Sequence, residues 1–344
     1  MKLNYIKITT IILTIFFAVN IGFSGTRNKL GTSAAPELLI PLGSVGTSLN
    51  GSNLSSLTGV DAIYWNPAGL ANLDGKRGEV IFSHSIYFAD MKMEYLAAGA
   101  SLGNLMNLGI SIRSLNIGDI IQTTETQPDG TGTTFKPTYI VADITLAKQM
   151  TDKIRFGTNI KVITESVADV SATGVAFDFG LQYRGGATGL AFGIAIKNLG
   201  PSMTFNGSGL DRTFTNTSNQ TTSTERVILQ DYDLPTSLEM GISYTANLGK
   251  KNYATFCTAF DNSSFSSDEY RFGLEYNWNS MLYLRGGANV YPDKKTDEAL
   301  FGPTFGVGFR YPFGSMSVGF DYAYRSVTES AFQTNHYFTL NLGF

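Results

Sequence analysis

The feature that most constrains this chain is a strict alternation of apolar and polar side chains, repeated in segments along most of its length. Tyr270, Phe272, Leu274, Tyr276 and Trp278 alternate with Arg271, Gly273, Glu275 and Asn277. Met316, Val318, Phe320, Tyr322 and Tyr324 alternate in the same way with Ser317, Gly319, Asp321, Ala323 and Arg325. Successive side chains of a strand point to opposite faces, so each segment has one apolar and one polar face. Strands in soluble sheets average about 5–6 residues, whereas crossing a bilayer at a tilt takes about 9–11. These segments have the longer measure.

Fourteen such segments are expected, near 79–88, 93–102, 105–115, 138–149, 154–166, 171–184, 189–198, 237–248, 253–261, 269–278, 281–290, 303–311, 316–325 and 335–344. An even count fits a single-chain bacterial barrel with short periplasmic turns and longer external loops. The connections follow that rule. Gly103–Asn104, Met150–Lys153 and Asn279–Ser280 are tight, whereas Gly118–Pro137 and Leu199–Thr236 are long. Two external turns, near 89–92 and 167–170, are short and depart from it. A soluble sandwich would need a second layer over fourteen apolar faces. The expected fold is all-β: a transmembrane antiparallel β-barrel of about 14 strands over 78–344, set in outer-membrane lipid.

Composition agrees. Charged residues are 15%, aromatics 12%, and the mean hydropathy is zero, so apolar residues are interspersed rather than blocked. The one continuous apolar run, Ile8–Phe23, follows Lys2 and Lys7 and precedes Ser24 and Gly25, which reads as a cleaved signal peptide over 1–25. A formal net charge of −3 gives no surface for nucleic acid. A single cysteine, Cys257, excludes an intramolecular disulfide and a cysteine metal cluster. The two histidines are His84 and His336, and the neighbours Ser83 and Ser85 point away from His84 on a strand. No enzyme activity, metal or cofactor is expected.

The polar faces carry Arg271, Glu275, Arg285, Asp321 and Arg325, with Arg113, Asp143, Lys161, Glu165, Asp178, Arg184 and Glu239 on other strands. Both signs are present, so pairing across strands or anchoring of a plug is the expected role of these lumen charges. A wall of this kind is not greasy. The stretch 26–77 breaks the alternation and contains Pro36, Pro41 and Pro67 among many apolar residues. It is expected to fold back into the lumen as a hatch or plug. Within it, Asn66 before Pro67 is biased away from helix, Pro67 fixes φ, and Gly69 opens a turn. Trp65 would pin that turn to the wall.

The run Gly59–Ala71, with Tyr64, Trp65, Asn66, Pro67, Ala68, Gly69 and Leu70 at its centre, resembles the hatch signature of the FadL-like superfamily. Its Tyr-Trp form is most similar to the PorV/PorQ branch. That resemblance implies a non-enzymatic outer-membrane anchor or shuttle in type IX-like secretion. Its external loops, Leu199–Thr236 above all, would bind secreted cargo or secretion-system subunits. The alternative it implies is a transporter taking up hydrophobic small molecules through a hatch and a lateral opening. The final strand places Phe338, Leu340, Leu342 and Phe344 on one face and stops on the aromatic. It resembles the terminal strand that the barrel assembly machinery reads.

Overall fold

A computed structural model describes residues 31–215, 221–249, 251–292, 299–329 and 332–344. The expected signal peptide lies outside the described residues. The barrel strands are β1 (Gly78–Ile86), β2 (Lys92–Ser101), β3 (Asn107–Asn116), β6 (Thr138–Gln149), β7 (Ile154–Val167), β8 (Val170–Arg184) and β9 (Leu190–Leu199). They continue as β12 (Ser237–Asn247), β13 (Tyr253–Ser263), β14 (Glu269–Trp278), β15 (Leu282–Val290), β16 (Phe301–Phe313), β17 (Met316–Val327) and β18 (Asn335–Gly343). Two small hairpins lie in external loops: β4 (Ile120–Ile121) with β5 (Thr134–Phe135), and β10 (Asp211–Thr215) with β11 (Thr222–Arg226).

The fourteen long strands pair in chain order, each antiparallel to its neighbours, and β18 returns to β1. Closure leaves no strand edge exposed to lipid. The alternation explains the faces. Along β8, Phe177, Phe179 and Leu181 are exposed outward, while Asp178 and Gln182 are buried inward. At the closing seam Val80 faces Leu342 and Phe82 faces Leu340. The carbonyl of Phe344 accepts the N–H groups of Arg77 at 2.7 Å and Gly78 at 3.0 Å. Phe338, Leu340, Leu342 and Phe344 point outward, with Tyr337, Thr339 and Asn341 buried on the other side. His84 shares the outer face and lies 2.7 Å from Glu94 Oε1, while Ser83 and Ser85 face inward.

Two bulges break the parity. One between β8 and β9 inserts a residue near Asn198, whose φ is 58°. Lys197 and Asn198 are consecutive and both buried inside. The other lies between Phe301 and Thr304 in β16, at Gly302-Pro303. Proline has no N–H to give a ladder and is confined to such interruptions. Strict alternation with inward-facing Thr304 would send Phe301 toward lipid; the extra residue turns it inward.

The long external loop folds back over the barrel mouth. Its Met203 and Leu234 are buried against Ala34, Leu38, Val141 and Ile163. If the outward face meets lipid, Phe320→Arg near mid-strand should cost about 2–4 kcal/mol, against about 0–1 for Phe313→Arg beside a turn. Denaturant titration of the protein refolded in vesicles measures both.

Candidate functional site

The N-terminal segment, residues 31–77, lies inside the barrel. It runs from the external mouth, where Ala34 N–H bonds to Asp233 O at 2.9 Å, to β1 at the periplasmic end. It contains two short helices, α1 (Ser44–Ser48) and α2 (Ala62–Trp65), and two 3-10 turns at Pro36–Leu39 and Pro67–Ala71. Most of its backbone is irregular, so its carbonyls need donors from elsewhere.

The wall supplies them from inward-facing side chains. Gln182 Nε2 donates to Leu54 O at 3.0 Å and to Leu57 O at 2.9 Å. Asn159 Nδ2 donates to Ile63 O, and Asn107 Nδ2 to Leu70 O, both at 2.8 Å. Arg184 Nη2 reaches Ser56 O at 2.7 Å, and Thr304 Oγ1 reaches Ser48 O at 2.9 Å. Between these donors the wall carries glycines. A Cβ at Gly157 would overlap the Pro67 carbonyl, and one at Gly180 the Asn66 side chain. The segment touches bare backbone there.

The Tyr64–Leu70 run occupies the middle of this contact and is buried throughout. Asn66 caps the Pro67–Ala71 turn by accepting Ala68 N–H at 3.1 Å. Its Nδ2 also lies 3.0 Å from Leu54 O, 3.2 Å from Leu181 O on β8 and 3.4 Å from Ile194 O on β9. One side chain thus shapes the turn and ties it to two strands. Leu70 packs over Gly99 and Gly109. Trp65 Nε1 donates to Leu42 O at 3.1 Å, and its ring fills the space above Gly46 and Gly51. Tyr64 meets the Trp65 ring edge-on at 4.8 Å. Lys197 Nζ stands 4.2 Å from the Tyr64 ring centroid and 5.5 Å from that of Trp65.

The expected lumen charges all face inward and most form pairs or clusters, but Arg113 lies over the Tyr64 ring and Arg184 on the Ser56 carbonyl with no carboxylate partner among the described residues. Arg271 meets Glu239, Asp261 and Glu269 at 3.5, 2.5 and 3.0 Å. Arg285 bridges Glu275 at 2.6 Å and Asp321 at 2.7 Å. Asp321 also meets Arg310, and Lys161 meets Asp178. Arg325 has no carboxylate partner among the described residues and instead lies 3.8 Å over the Phe301 ring. Charged residues missed in the sequence also belong to this interior, among them Lys197, Arg310, Asp261, Glu269, Glu79, Asp61 and Glu37. Lys197 was findable, because it shares parity with the inward Ala191, Gly193 and Ala195. Glu37 lies in the segment, where no parity applies.

Two cavities flank the segment. An outer one of about 290 Å³ has Leu38, Leu39, Ile40, Tyr64 and Trp65 on one side and Glu239, Asp261, Arg271 and Arg325 on the other. An inner one of about 630 Å³ opens at the periplasmic end and is lined by Asp61, Glu79, Arg184, Glu275 and Arg285. Burial, reinforced by the negative charge of Glu165, pushes the Glu37 carboxyl up to about 8 against the pull of Arg113. Burial and the nearby Asp321 likewise raise Asp61, to about 7.

No protein-family model matches the sequence, and no curated protein matches it. Solved structures do. The Pseudomonas putida toluene transporter TodX aligns with 89% of this chain and 97% of its own, at 14% identity and a TM-score of 0.54. The Ralstonia pickettii toluene transporter TbuX aligns over 88% and 97%, at 13% identity and 0.52. A Pseudomonas aeruginosa FadL homologue aligns over 89% and 98%, at 10% identity and 0.52. The chain shares their fold. It is a closed fourteen-stranded antiparallel β-barrel, similar in fold to two toluene transporters and a FadL homologue. The finer PorV/PorQ resemblance finds no counterpart among them.

Two outcomes follow from the segment's seating. Asn66→Ala strands several buried backbone groups and should cost about 1–3 kcal/mol, while Asn72→Ala, at an exposed contact, should change little in the same thermal unfolding assay. Glu37 is raised in the folded state, so its contribution to seating is full below its ordinary value of 4.5 and is lost as pH rises through about 8. A nitroxide at Leu39→Cys should therefore gain mobility between about pH 5 and pH 9. Glu37→Gln should abolish that pH dependence.

Proposed function

We propose that the protein is a non-enzymatic outer-membrane channel for small hydrophobic compounds, taken in at the outer cavity. The observation that carries this reading is the apolar floor that Leu38, Leu39, Ile40, Tyr64 and Trp65 give that cavity. An apolar cavity of about 150 Å³ is enough to take up benzene. The charges that made the wall look unsuited to such cargo are mostly paired with one another, and the segment provides the greasy surface. The likeness in fold to two toluene transporters supports the same reading. On it, residues 26–77 are the hatch that must yield for passage, with the Tyr64–Leu70 turn as its seat. Phe338, Leu340, Leu342 and Phe344 form the signal read by the assembly machinery.

A second reading, the PorV/PorQ-like anchor for exported proteins, has one observation in its favour. Val227 and Ile228, beside the β10–β11 hairpin in the long external loop, are 45% and 92% exposed. Such apolar side chains at a loop tip suit a protein partner.

Uptake of labelled toluene by cells with and without the protein separates the two. Faster uptake that depends on the protein and falls with Leu38→Asp is the expected result. Unchanged uptake, together with a crosslink from position 228 to an exported protein, would overturn the channel in favour of the anchor.

A further inference from the structure

On three neighbouring strands the outer and inner cavities are one inward residue apart. The inward face of β14 runs Arg271, Gly273, Glu275, and Arg271 lines the outer cavity while Glu275 lines the inner one. From outer to inner, β12 runs Glu239, Gly241, Ser243 and β13 runs Asp261, Ala259, Cys257. The middle position is glycine or alanine each time, and the segment fills the space. Leu49 and Ser52 lie over Gly273, and Leu54 lies over Gly241. Asn50 borders the outer cavity, and Leu49 and Asn53 border the inner one. The turn Leu49–Asn53 is thus a partition reached from both sides.

Its fastening is unlike that of the Tyr64–Leu70 run. The wall's donors bracket it, with Thr304 on Ser48 O at 2.9 Å and Gln182 on Leu54 O at 3.0 Å. Between those points the turn is held by bonds inside the segment. Gly51 N–H donates to Gly46 O at 2.8 Å, and Ser52 Oγ to Leu49 O at 2.7 Å. Asn50 Nδ2 and Asn53 Oδ1 are enclosed without partners. Asn50 and Gly51 are both left-handed, with φ of 54° and 73°, and small residues of this kind absorb a change in chain direction. On the opposite side, Asn107, Asn159 and Asn66 tie the segment to β3, β7, β8 and β9. Elements that open locally are those with least holding them, and here that is the turn.

We propose that cargo crosses the barrel along β12–β14 by displacement of Leu49–Asn53 alone, while Tyr64–Leu70 stays seated. This rests on the channel reading above and says which piece of the hatch yields. The turn moves with its own bonds intact, and its departure joins the two cavities into one passage down the lumen.

A Cβ on Gly273 would lie 3.2 Å from that of Leu49, close to the separation of about 3.5–4.5 Å that a disulfide spans. Leu49→Cys with Gly273→Cys therefore pins the turn to β14, in a full chain that also carries Cys257→Ala and, to make room, Ser52→Ala. Uptake of labelled toluene by cells is measured before and after a reductant. The crosslinked protein should lose uptake about tenfold or more, and reduction should restore it. Equal uptake in both states, with the bond confirmed by mass spectrometry, overturns the partition and leaves the channel standing. If the unmodified protein takes up no toluene, both readings fall. Should the cysteine chain fail to fold, crosslink or transport when reduced, planar-bilayer recordings decide. Thr304→Val releases the turn at Ser48 and should raise the frequency of open events about fivefold or more. Asn107→Leu removes one bond on the opposite side and should leave it unchanged. No rise with Thr304→Val, or an equal rise with both, overturns the proposal.

Discussion

The molecule depends on hydrogen bonds that the barrel wall donates to the carbonyls of its own N-terminal segment. That segment is short helices and irregular turns, a poor source of internal hydrogen bonds, placed where little water reaches. Gln182, Asn159, Asn107, Arg184 and Thr304 each meet one or two of its carbonyls. Donors of this kind act only at close range, which is why inward positions such as Gly157 and Gly180 carry no side chain. Polar reach and bare backbone are two parts of one seat.

The distribution of charge follows from the same arrangement. On the side of β12 to β17, the ions are bound to each other around Arg271 and Arg285, with their desolvation offset by mutual attraction and hydrogen bonds. The segment packs most of its apolar residues against β1–β3 and β6–β8 and leaves Leu39, Ile40, Tyr64 and Trp65 bordering that side. The outer cavity therefore has one ionic face and one greasy face, and neither the wall nor the segment alone would predict it. Lys197 joins the two, paired with Glu239 on the wall and set over the Tyr64 ring.

Period-two alternation made the barrel legible: all fourteen expected segments are strands, with ends displaced by no more than two residues. Parity likewise gave the inward side of Arg271, Glu275, Arg285, Asp321 and Arg325. Which of them pair was hidden, because pairing depends on register between strands far apart in sequence. A bulge is hidden for a related reason. An extra residue at Gly302-Pro303 is extra only against β17, so the inward side of Phe301 does not follow from parity along its own strand. The Asn66-Pro67 turn was legible as local geometry, while its bonds to Leu181 and Ile194 were not. The charged faces also argued against a hydrophobic conduit, since the apolar lining comes from a segment with no periodicity to read.

The path of the segment has a consequence for how such a molecule can be made. It extends from the external mouth down to β1, and β1 is held on its other flank by β18, the last strand of the chain. A closed ring of hydrogen-bonded strands has no gap in its wall, and the segment inside it is gripped on several sides at once. If the segment is in position when β18 pairs with β1, that one pairing closes the contents in as well as the wall. One seam, β1 against β18, thus joins the piece of chain that leads out of the segment to the strand that completes the wall.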